Sequence, residues 1–464
     1  MENLGTRILN INKKILIIVA IILMIIFMSV MYFTQEYINP NIHKGVKIEG
    51  VDVSNLSKED ALKEVKTVTD ELIKNKVVNF YYDNIKLAVP LRDFGYELNL
   101  QDAVNSAFNY GRSENLFYNY FDIVKSSIFK KNFIAKSNID NAKREKIIID
   151  IGNKIFKKPV DAHPIINSDK SVKIAESEIG RYMDIDEAKK LINLDILHEE
   201  KIELPVYKTE PKIYSNYYEG IDKELGNFET DYSSSAKNRK ENIKLAASKF
   251  NNMKLKPGDE ISFNNVVGEI SPETGFKNAT VIVGGEYEDG IGGGICQVST
   301  TLYNSLILSD LEITERHNHS RPIHYVDLGT DAAVARGYKD LKFKNNTSNP
   351  VLILSEANGE KLNFKILGNA ADRDYEIKII PKLLETVSPG VDTIYSDKLP
   401  EGESTVKDSG AKGYSYKTYK EIIKNGEVIE KKEISKSYYL PKDKVVVVGT
   451  GTSNSDDDKD KDKD

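Results

Sequence analysis

An uncharged apolar segment near the N-terminus constrains this chain more than any other feature of the sequence. From Ile15 to Phe33 the residues ILIIVAIILMIIFMSVMYF include no charged side chain. As an α-helix, such a segment would extend roughly 28 Å, which is close to the thickness of the hydrocarbon layer of a bilayer. The segment therefore predicts a transmembrane helix at residues 15–33.

The charges that flank this segment predict its orientation. Arg7, Lys13 and Lys14 precede it and Glu36 follows it. Because positive residues favour the cytoplasmic side, we expect residues 1–14 to be a cytoplasmic tail and the bulk of the chain to be extracytoplasmic. A cleaved signal peptide is the alternative. It would have a shorter apolar region and a small-x-small cleavage site, which the sequence MYFTQEY does not supply.

The charge balance argues against a nucleic-acid partner. The chain has 65 basic and 71 acidic side chains, a net charge of −6, and no long basic block that would follow a phosphate backbone. Its hydrophobic content of 40% and its 25 tyrosines are typical of folded, partly β domains. A length of 464 residues predicts about three domains.

The first of these domains is predicted at residues 45–213. Two strand-turn-helix patterns occur in it, one running from Gly95 to Ala103 and the other from Gly180 to Ala188. The equal glycine-to-alanine interval predicts a duplicated small α+β region. The histidines of this half share no spacing, and we interpret them as surface or hydrogen-bonded residues: His43, His163 and His198.

The remaining chain predicts an α+β domain followed by a β-rich module. A helix in KENIKLAASKFNNM and a hairpin turning at Asn358 and Gly359 belong to a domain at residues 226–370. Short alternating strands, one pair turning at Asn425 and Gly426, predict the β-rich module at residues 372–452. The charged, low-complexity residues 453–464 predict a disordered acidic tail. The fold class is therefore α+β and multidomain, with an N-terminal transmembrane helix.

The only cysteine of the chain lies in GGGICQVSTTLYN. Val298, Leu302 and Leu306 recur every four residues, which predicts a helix whose first turn contains Cys296. The positive end of a helix dipole favours a thiolate, and free N–H groups of that turn can receive an oxyanion. The preceding glycines, including Gly293 and Gly294, allow the backbone to approach a ligand. Cys296 is therefore predicted to be a nucleophile, with a buried structural cysteine as the alternative.

A nucleophilic thiol needs a base, and three histidines follow within eight residues of one another: His317, His319 and His324. In an extended segment His317 and His319 would face the same side, so either is a candidate for the base. Asp331, or with less support Asp327, would orient the imidazole. Zinc held by Cys296, His317 and His319 is a further alternative, but no regular ligand spacing supports it. We therefore predict no metal and no cofactor.

Several long motifs in a fixed order resemble the VanW domain family: GGGICQVSTTLYN, ERHNHSRP, GTDAAVARGYKDLKFKN and NPVLI, within about residues 238–368. The region before them resembles the peptidoglycan-binding domain that commonly precedes VanW. The stretch from about residue 374 to 452 is similar to the G-five domain, a β-rich extracellular adhesion module. Together the three resemblances cover most of the predicted extracytoplasmic chain.

The resemblance implies a cell-wall L,D-transpeptidase, with peptidoglycan tetrapeptide stems as donor and acceptor. Cys296 would attack the donor stem, His319 or His317 would handle protons, and a 3-3 cross-link would form. The motif His-Gly-Cys-x-Arg of better-known L,D-transpeptidases is absent, so a shared fold is not implied. Substrate contacts are expected from Gly293, Gly294, Ser299, Thr300, Arg321 and Arg336, although the two hydroxyls and both arginines have equally plain structural interpretations.

Two other functions are compatible with the same sequence. A cysteine peptidase acting on the same stems would differ only in using water to resolve the thioester. A non-catalytic wall-binding or adhesion protein would use its N-terminal and G-five-like regions, with Cys296 merely buried. The three hypotheses make different predictions for the accessibility and reactivity of Cys296.

Overall fold

The computed structural model describes residues 4–193, 195, 201–283 and 286–451. The predicted acidic tail at residues 453–464 lies outside them. The chain divides into two compact units. Unit 1 comprises Met1–Val160 and Glu178–Pro211, and unit 2 comprises Asp161–Ser177 and Lys212–Asp464. Each unit has hydrophobic cores of its own.

Unit 1 begins with an apolar helix, Leu4–Tyr37, which contains the predicted segment 15–33. Its part Lys13–Tyr37 has a mean hydropathy of 3.1. Among the described residues it is the one helix that is long and apolar enough to cross a membrane, judged by length and composition. Its large apolar side chains are exposed within the unit, because few other elements of unit 1 pack on them.

The other elements of unit 1 are short. Its helices after the apolar helix are Lys58–Asn75, Leu100–Asn109, Leu116–Phe129, Asn141–Ile155 and Ile185–Leu191. Its strands form four small sheets. They are Val46–Ile48, Val51–Asp52, Val77–Tyr82, Ile85–Pro90, Tyr96–Asn99, Lys131–Phe133, Lys136–Ile139, Gly180–Met183, Ile202–Glu203 and Val206–Thr209.

The two predicted strand-turn-helix patterns form the expected elements. Strand Tyr96–Asn99 leads directly into helix Leu100–Asn109, and strand Gly180–Met183 leads into helix Ile185–Leu191. In each case the residue between strand and helix caps the helix with its side chain: Asn99 accepts from Asp102 N–H, and Asp184 accepts from Glu187 N–H. The shared sequence pattern therefore corresponds to a shared local structure.

The interpretation of His43 as a surface or hydrogen-bonded residue is wrong. Its side chain is fully buried, and within the described residues neither ring nitrogen has a hydrogen-bond partner. Burial, together with the positive charge of Arg112, lowers the pKa of His43 to about 4, so that the ring is neutral at pH 7. His163 is exposed, as expected, and His198 lies outside the described residues.

Unit 2 contains a hairpin that the sequence assigned to the first domain. Residues 161–177 form strands His163–Ile166 and Val172–Ala175. Apolar residues of this hairpin pack with Tyr218, Leu352 and Leu367, which lie far along the chain. The predicted first domain, residues 45–213, therefore includes a hairpin that belongs to unit 2, because long-range packing, which the local pattern does not report, places it there.

The core of unit 2 is built around a four-stranded antiparallel sheet. Its strands, in spatial order, are Lys223–Asp231, Lys361–Gly368, Val351–Ala357 and Met253–Leu255. Helix Lys237–Ser248 forms where a helix was predicted, and the hairpin turns at Asn358 and Gly359 as predicted. The remaining elements before residue 370 are Glu260–Ser262, Phe263–Val267, Asn278–Val283, Glu286–Ile291, Ile295–Leu308, Glu312–Glu315 and Lys342–Lys344.

The C-terminal module of unit 2, residues 376–451, is composed of strands, as predicted. One three-stranded sheet contains Glu376–Val387, Gly413–Lys424 and Glu427–Tyr439, and the other contains Val391–Pro400, Lys444–Gly451 and Ser404–Asp408. Asn425 and Gly426 both have positive φ angles, of 53° and 85°, which a tight hairpin turn requires.

Candidate active site

The cysteine helix, Ile295–Leu308, runs through the core of unit 2 and begins at a surface cavity. It packs on strands Lys223–Asp231 and Lys361–Gly368, and most of its side chains are buried. Cys296 is its second residue and is partly exposed. The thiol donates a weak hydrogen bond to the Val334 carbonyl oxygen at 3.5 Å. Cys296 is therefore held at the positive end of a well-anchored helix dipole.

The glycines before Cys296 are required by close packing. A Cβ on Gly293 would lie 2.5 Å from the Thr280 carbonyl oxygen. Gly294, the N-cap, has a φ of 108°, and a Cβ there would lie 2.8 Å from Ile243. The two glycines also line the cavity with their backbone. The space that a side chain would take is thus already filled by the protein, so glycine is required at both positions by packing as well as for the backbone wall of the cavity.

His319 links the thiol to a buried carboxylate. Its Nδ1 lies 2.6 Å from Asp331 Oδ2, and its backbone N–H donates to the same oxygen at 2.7 Å. Because Nδ1 is bound to the carboxylate, Nε2 is the ring nitrogen that remains to interact with Cys296, whose charge raises the pKa of His319. Asp331 therefore holds His319 in place, and His319 and Cys296 line the same cavity.

Asp331 is completely buried, and both of its oxygens have donors. Besides His319, it accepts a hydrogen bond from the Tyr439 hydroxyl at 2.5 Å and from Arg316 Nη2 at 3.1 Å, both at Oδ1. Burial raises the pKa of Asp331, but the bond to His319 and the charge of Arg316 outweigh it and lower the pKa. Asp331 thus remains a carboxylate and can stabilise a protonated His319.

The charge states of the thiol and the imidazole support each other. Burial raises the pKa of Cys296, yet the hydrogen bond and positive charge of His319 lower it overall. Burial lowers the pKa of His319, but its bonds to Asp331 and Cys296 raise it to about 9. The pair titrates as a unit, and each partner stabilises the charged form of the other.

A cavity of about 620 Å³ opens beside the thiol. Cys296 and His319 both line it, together with apolar side chains such as Ile270 and Ile323. Three cationic residues also contribute to its wall: Arg239, Arg336 and Lys339. This combination suits a ligand that carries a carboxylate on a partly apolar body.

The backbone N–H of Cys296 is available as a donor beside the thiol. The N–H groups of Ile295 and Gln297 donate to the carbonyl oxygens of Gly292 and Gly294. Within the described residues, the N–H of Cys296 itself has no backbone acceptor. This N–H lies in the first turn of the helix and is thus the geometric candidate for binding an oxyanion.

Comparison with known proteins places this site in a family. Residues 238–367 match the family model described as "VanW like protein". The chain is 34% identical over 222 residues to "Uncharacterized protein YoaR" of Bacillus subtilis (strain 168), covering 48% of this chain and 73% of that relative. The chain belongs to the VanW family.

A second relative of this VanW protein is "Vancomycin B-type resistance protein VanW" of Enterococcus faecalis (strain ATCC 700802 / V583). It is 31% identical over 126 residues, or 26% of this chain, and the match covers 46% of that relative. The chain thus spans less than half of its length. The apolar helix and the wall-associated domains of this VanW protein fit an extracytoplasmic location at the cell wall.

Two further domain models match in the predicted order. Residues 87–203 match "Putative peptidoglycan binding domain" and residues 384–451 match "G5 domain". Solved chains titled "Crystal structure of HP0197-G5" and "IgA1 Protease G5 domain structure" are 21% and 20% identical to parts of this VanW protein. They cover 16% and 17% of it, and 99% and 96% of their own lengths, with TM-scores of 0.12 and 0.14, which carry no argument about fold.

The structure separates the two candidate bases. His319 is nearly buried and lines the cavity, whereas His317 points elsewhere, its Nε2 lying 3.0 Å from Glu315 Oε1. The expectation that both face one side fails because strand Glu312–Glu315 ends before them and the segment is irregular. His324 lines the cavity, and Asp327 provides a carbonyl acceptor for Thr330 instead of a carboxylate for the imidazole.

Ser299 and Thr300 have a structural position, which corrects their predicted contact with substrate. Both are fully buried, and their hydroxyls lie 2.6 Å and 3.2 Å from the Ala332 carbonyl oxygen, to which they donate. Thr300 also accepts from the Ala332 N–H at 3.0 Å. They hold the segment after Asp331 against the cysteine helix.

The two predicted arginines lie in different places. Arg321 donates to the carbonyl oxygens of Leu440 and Pro441 and does not line the cavity, so a structural role corrects its predicted contact with substrate. Arg336 is exposed on the cavity wall and remains a candidate.

Zinc receives no support from this geometry. Within the described parts of the chain, no group of three or more His, Cys, Asp or Glu side chains is placed to hold a metal ion. His317 is turned towards Glu315, away from the arrangement that a shared zinc with Cys296 would need.

Sequence reasoning missed several residues of the site. Tyr439 lies 108 residues from Asp331, in a module with no other signal of chemistry. Arg239, which lines the cavity and donates to Gln297 Oε1 at 2.8 Å, belongs to a helix predicted only from its apolar face. Arg316 was visible inside the motif ERHNHSRP, but nothing in the spacing indicated that it binds Asp331.

Proposed function

We propose that this protein is a membrane-anchored L,D-transpeptidase that forms 3-3 cross-links in peptidoglycan through an acyl-enzyme on Cys296. The observation that carries the proposal is the placement of Cys296 in one cavity with His319, whose imidazole is hydrogen-bonded to the buried Asp331 and lowers the pKa of the thiol. Membership of the VanW family and the peptidoglycan-binding match supply the wall context. The proposal assigns the reaction, the substrate class and the roles of the residues.

The first half of the reaction transfers the donor stem to the enzyme. The Cys296 thiolate attacks the carbonyl carbon of the third, diaminopimelate residue of a tetrapeptide stem. The N–H of Cys296 stabilises the oxyanion that develops. His319, as the imidazolium, gives its proton to the departing amine, the C–N bond breaks, and D-alanine leaves. The product is a thioester on Cys296 with a neutral His319.

The second half uses the neutral imidazole as a base. The side-chain amine of diaminopimelate in an acceptor stem attacks the thioester carbonyl, and His319 takes a proton from that amine. The C–S bond then breaks and an amide bond forms between the two stems. Cys296 leaves as the thiolate and His319 is again protonated, which restores the starting ion pair.

The cavity wall supplies the means of recognition. Arg239, Arg336 and Lys339 give the cavity positive charge, which suits the carboxylates of peptide stems. Asp331 keeps His319 in one tautomer and orientation through both reaction halves. These side chains bind and orient, and the covalent steps occur on Cys296.

Mass spectrometry of the full-length protein, incubated with disaccharide-tetrapeptide, tests the proposal. We expect a dimer that has lost one D-alanine, formed by the wild-type protein and not by Cys296→Ala or by protein pretreated with iodoacetamide. A tripeptide with free D-alanine and no dimer would identify a hydrolase instead. Unchanged substrate, or a dimer formed equally by Cys296→Ala, would overturn the assignment.

A further inference from the structure

Helix Leu116–Phe129 of unit 1, hereafter the aromatic helix, has its apolar residues on the outside. Phe117, Phe121, Ile128 and Phe129 are between 52% and 75% exposed. Leu116 and Tyr118 are exposed as well. An exposed cluster of large apolar side chains of this size on a folded domain marks a surface that is covered by a membrane or by a protein partner.

The buried face of the same helix is partly polar. Its buried residues are Asn119, Ile123 and Ser126, at intervals of four and three. Asn119 bonds to Ser113 through its side chain, and Ser126 donates to the Lys44 carbonyl oxygen at 3.1 Å. The aromatic helix is therefore attached to unit 1 mainly through satisfied polar groups, while its aromatic residues face outward, the reverse of an ordinary surface helix.

The aromatic helix directly contacts the apolar helix Leu4–Tyr37. The Tyr120 hydroxyl lies 2.7 Å from Ser29 Oγ, and the rings of Tyr120 and Phe33 are 5.4 Å apart between centroids in an edge-on arrangement. Phe33 closes the uncharged segment that begins at Ile15, and Ser29 lies one turn further in. A helix rises about 1.5 Å per residue, so Tyr120 meets the apolar helix within roughly the last 6 Å of that segment.

This contact fixes the depth of the aromatic helix. If the apolar segment lies in the bilayer, a side chain that touches its outermost turn lies at the boundary of hydrocarbon and headgroups. Aromatic rings are favoured there, and long basic side chains reach from there to the headgroups. Lys125, Lys130 and Lys131 are exposed on or next to the aromatic helix and provide such side chains.

Because the aromatic helix contacts the last turns of the apolar segment, we propose that it is embedded in the outer leaflet of the membrane beside the apolar helix. Phe117 and Phe121 are then in contact with lipid chains. The lipid covers the apolar surface that unit 1 leaves open. The inference rests on the membrane anchoring in the proposed function but not on its chemistry. Unit 1 is thereby held on the bilayer surface by two elements, of which one crosses the membrane and the other lies in its interface.

Tryptophan fluorescence tests this directly, because the chain contains no tryptophan. Full-length Phe117→Trp is reconstituted in vesicles of phosphatidylglycerol and phosphatidylcholine, with or without bromine on the acyl chains. We expect blue-shifted emission and loss of most of the signal in brominated lipid. Phe156→Trp, at a phenylalanine of unit 1 that is 60% exposed, is the matched control and should emit as in water and resist quenching.

One additional variant separates the possible failures. Phe27→Trp, inside the apolar helix, reports whether that helix is in the bilayer. If Phe27→Trp is quenched and Phe117→Trp is not, the embedding is overturned while the anchoring stands. If neither is quenched, the anchoring fails and the inference with it. Blue-shifted but unquenched emission of Phe117→Trp would identify a protein partner or a second copy, which also overturns the inference.

A double variant adds a positive test. Phe121→Glu lies one turn from position 117 and places a charge on the same outward face, without disturbing the buried residues of the helix. Combined with Phe117→Trp, it should restore fluorescence in brominated lipid. The proposed cross-linking reaction depends on Cys296. It is measured by its cross-linked product, independently of these spectra.

Discussion

Two buried histidines, one in each unit, have opposite charge states. His319 of unit 2 has a carboxylate oxygen 2.6 Å from Nδ1, and its pKa is raised to about 9. His43 of unit 1 has no hydrogen bond from the described residues to either ring nitrogen, the oxygen Glu36 Oε2 lies 3.9 Å from its Nδ1, and its pKa is lowered to about 4. Burial acts in the same direction on both rings. The difference therefore comes from their partners.

The two histidines also differ in how they couple folding to pH. In the pair at Cys296, the raised pKa of His319 and the lowered pKa of Cys296 have opposite effects on how stability changes with pH, so the two effects partly cancel. His43 has no such compensation. Its lowered pKa gives stability that is present above pH 6.5 and is lost as the pH falls towards 4.

The largest expected effect is on the paired histidine. In His319→Asn the base is lost, and we expect the rate of cross-linking to fall by about 10²–10⁴-fold. Because the imidazolium no longer lowers the pKa of Cys296, alkylation by iodoacetamide at pH 6.5 should slow by roughly tenfold for each unit of pKa gained, and recover at high pH. If the pH profile of alkylation were unchanged, the claim that His319 lowers the pKa of the Cys296 thiol would be wrong.

The next effect concerns the unpaired histidine. His43→Leu removes the buried ring and with it the cost of protonation. A shift from 6.5 to about 4 corresponds to about 3 kcal/mol of pH-dependent stability at pH 4. In hydrogen exchange followed by mass spectrometry, the segment around residue 43 should open more readily at pH 5 than at pH 7 in the wild-type protein. If His43→Leu shows the same acid sensitivity, another group is responsible.

A smaller effect is expected when Asp331, the carboxylate beside His319, loses one of its hydrogen-bond donors. Tyr439→Phe removes one donor to Asp331 without changing the shape of the side chain. A hydrogen bond to a charged group contributes about 1.5–3 kcal/mol, so we expect a lower thermal midpoint and a loss of roughly tenfold in cross-linking rate. Tyr416→Phe in the same module, whose hydroxyl has no bond to Asp331, serves as the control. Equal behaviour of the two variants would argue against support of Asp331 by Tyr439.

The smallest effect is expected at the neighbouring histidine. His317→Asn should retain cross-linking activity and the alkylation profile of the wild-type protein, because the side chain contacts Glu315 and not the thiol. The loss of this one partly exposed contact with Glu315 changes stability by at most about 1 kcal/mol. If His317→Asn were as inactive as His319→Asn, the distinction between the two candidate bases would be lost.

Local sequence patterns predicted those parts of the molecule that local chemistry determines. The apolar helix, helix Lys237–Ser248 and the turn at Asn358 and Gly359 each follow from the spacing of apolar residues or from turn-forming residues. The position of Cys296 in the first turn of its helix was predicted for the same reason. Such elements depend on neighbours within a few residues.

The partners in the site depend on how distant segments close on each other. The equivalence of His317 and His319 assumed a regular strand, but the strand ends at Glu315. The hydroxyls of Ser299 and Thr300 were expected near substrate, yet packing turns them towards Ala332. No rule of sequence spacing predicts that Tyr439 forms a hydrogen bond with Asp331. Nor does any such rule predict that Glu36 lies too far from His43 to form one. Such contacts are products of tertiary structure.

Through the hydroxyl of Tyr439, the C-terminal module donates a hydrogen bond to Asp331 of the candidate active site. The same hydroxyl oxygen accepts the Gly329 N–H at 2.6 Å, and Arg316 donates to Ser437 Oγ at 2.9 Å, so that two alternate residues of one strand of the module, Ser437 and Tyr439, support the candidate active site. In evolutionary terms, the two domains are not freely interchangeable parts. A recombination event that brought in a foreign β module would leave Asp331 without this donor unless the newcomer carried a tyrosine at the matching place.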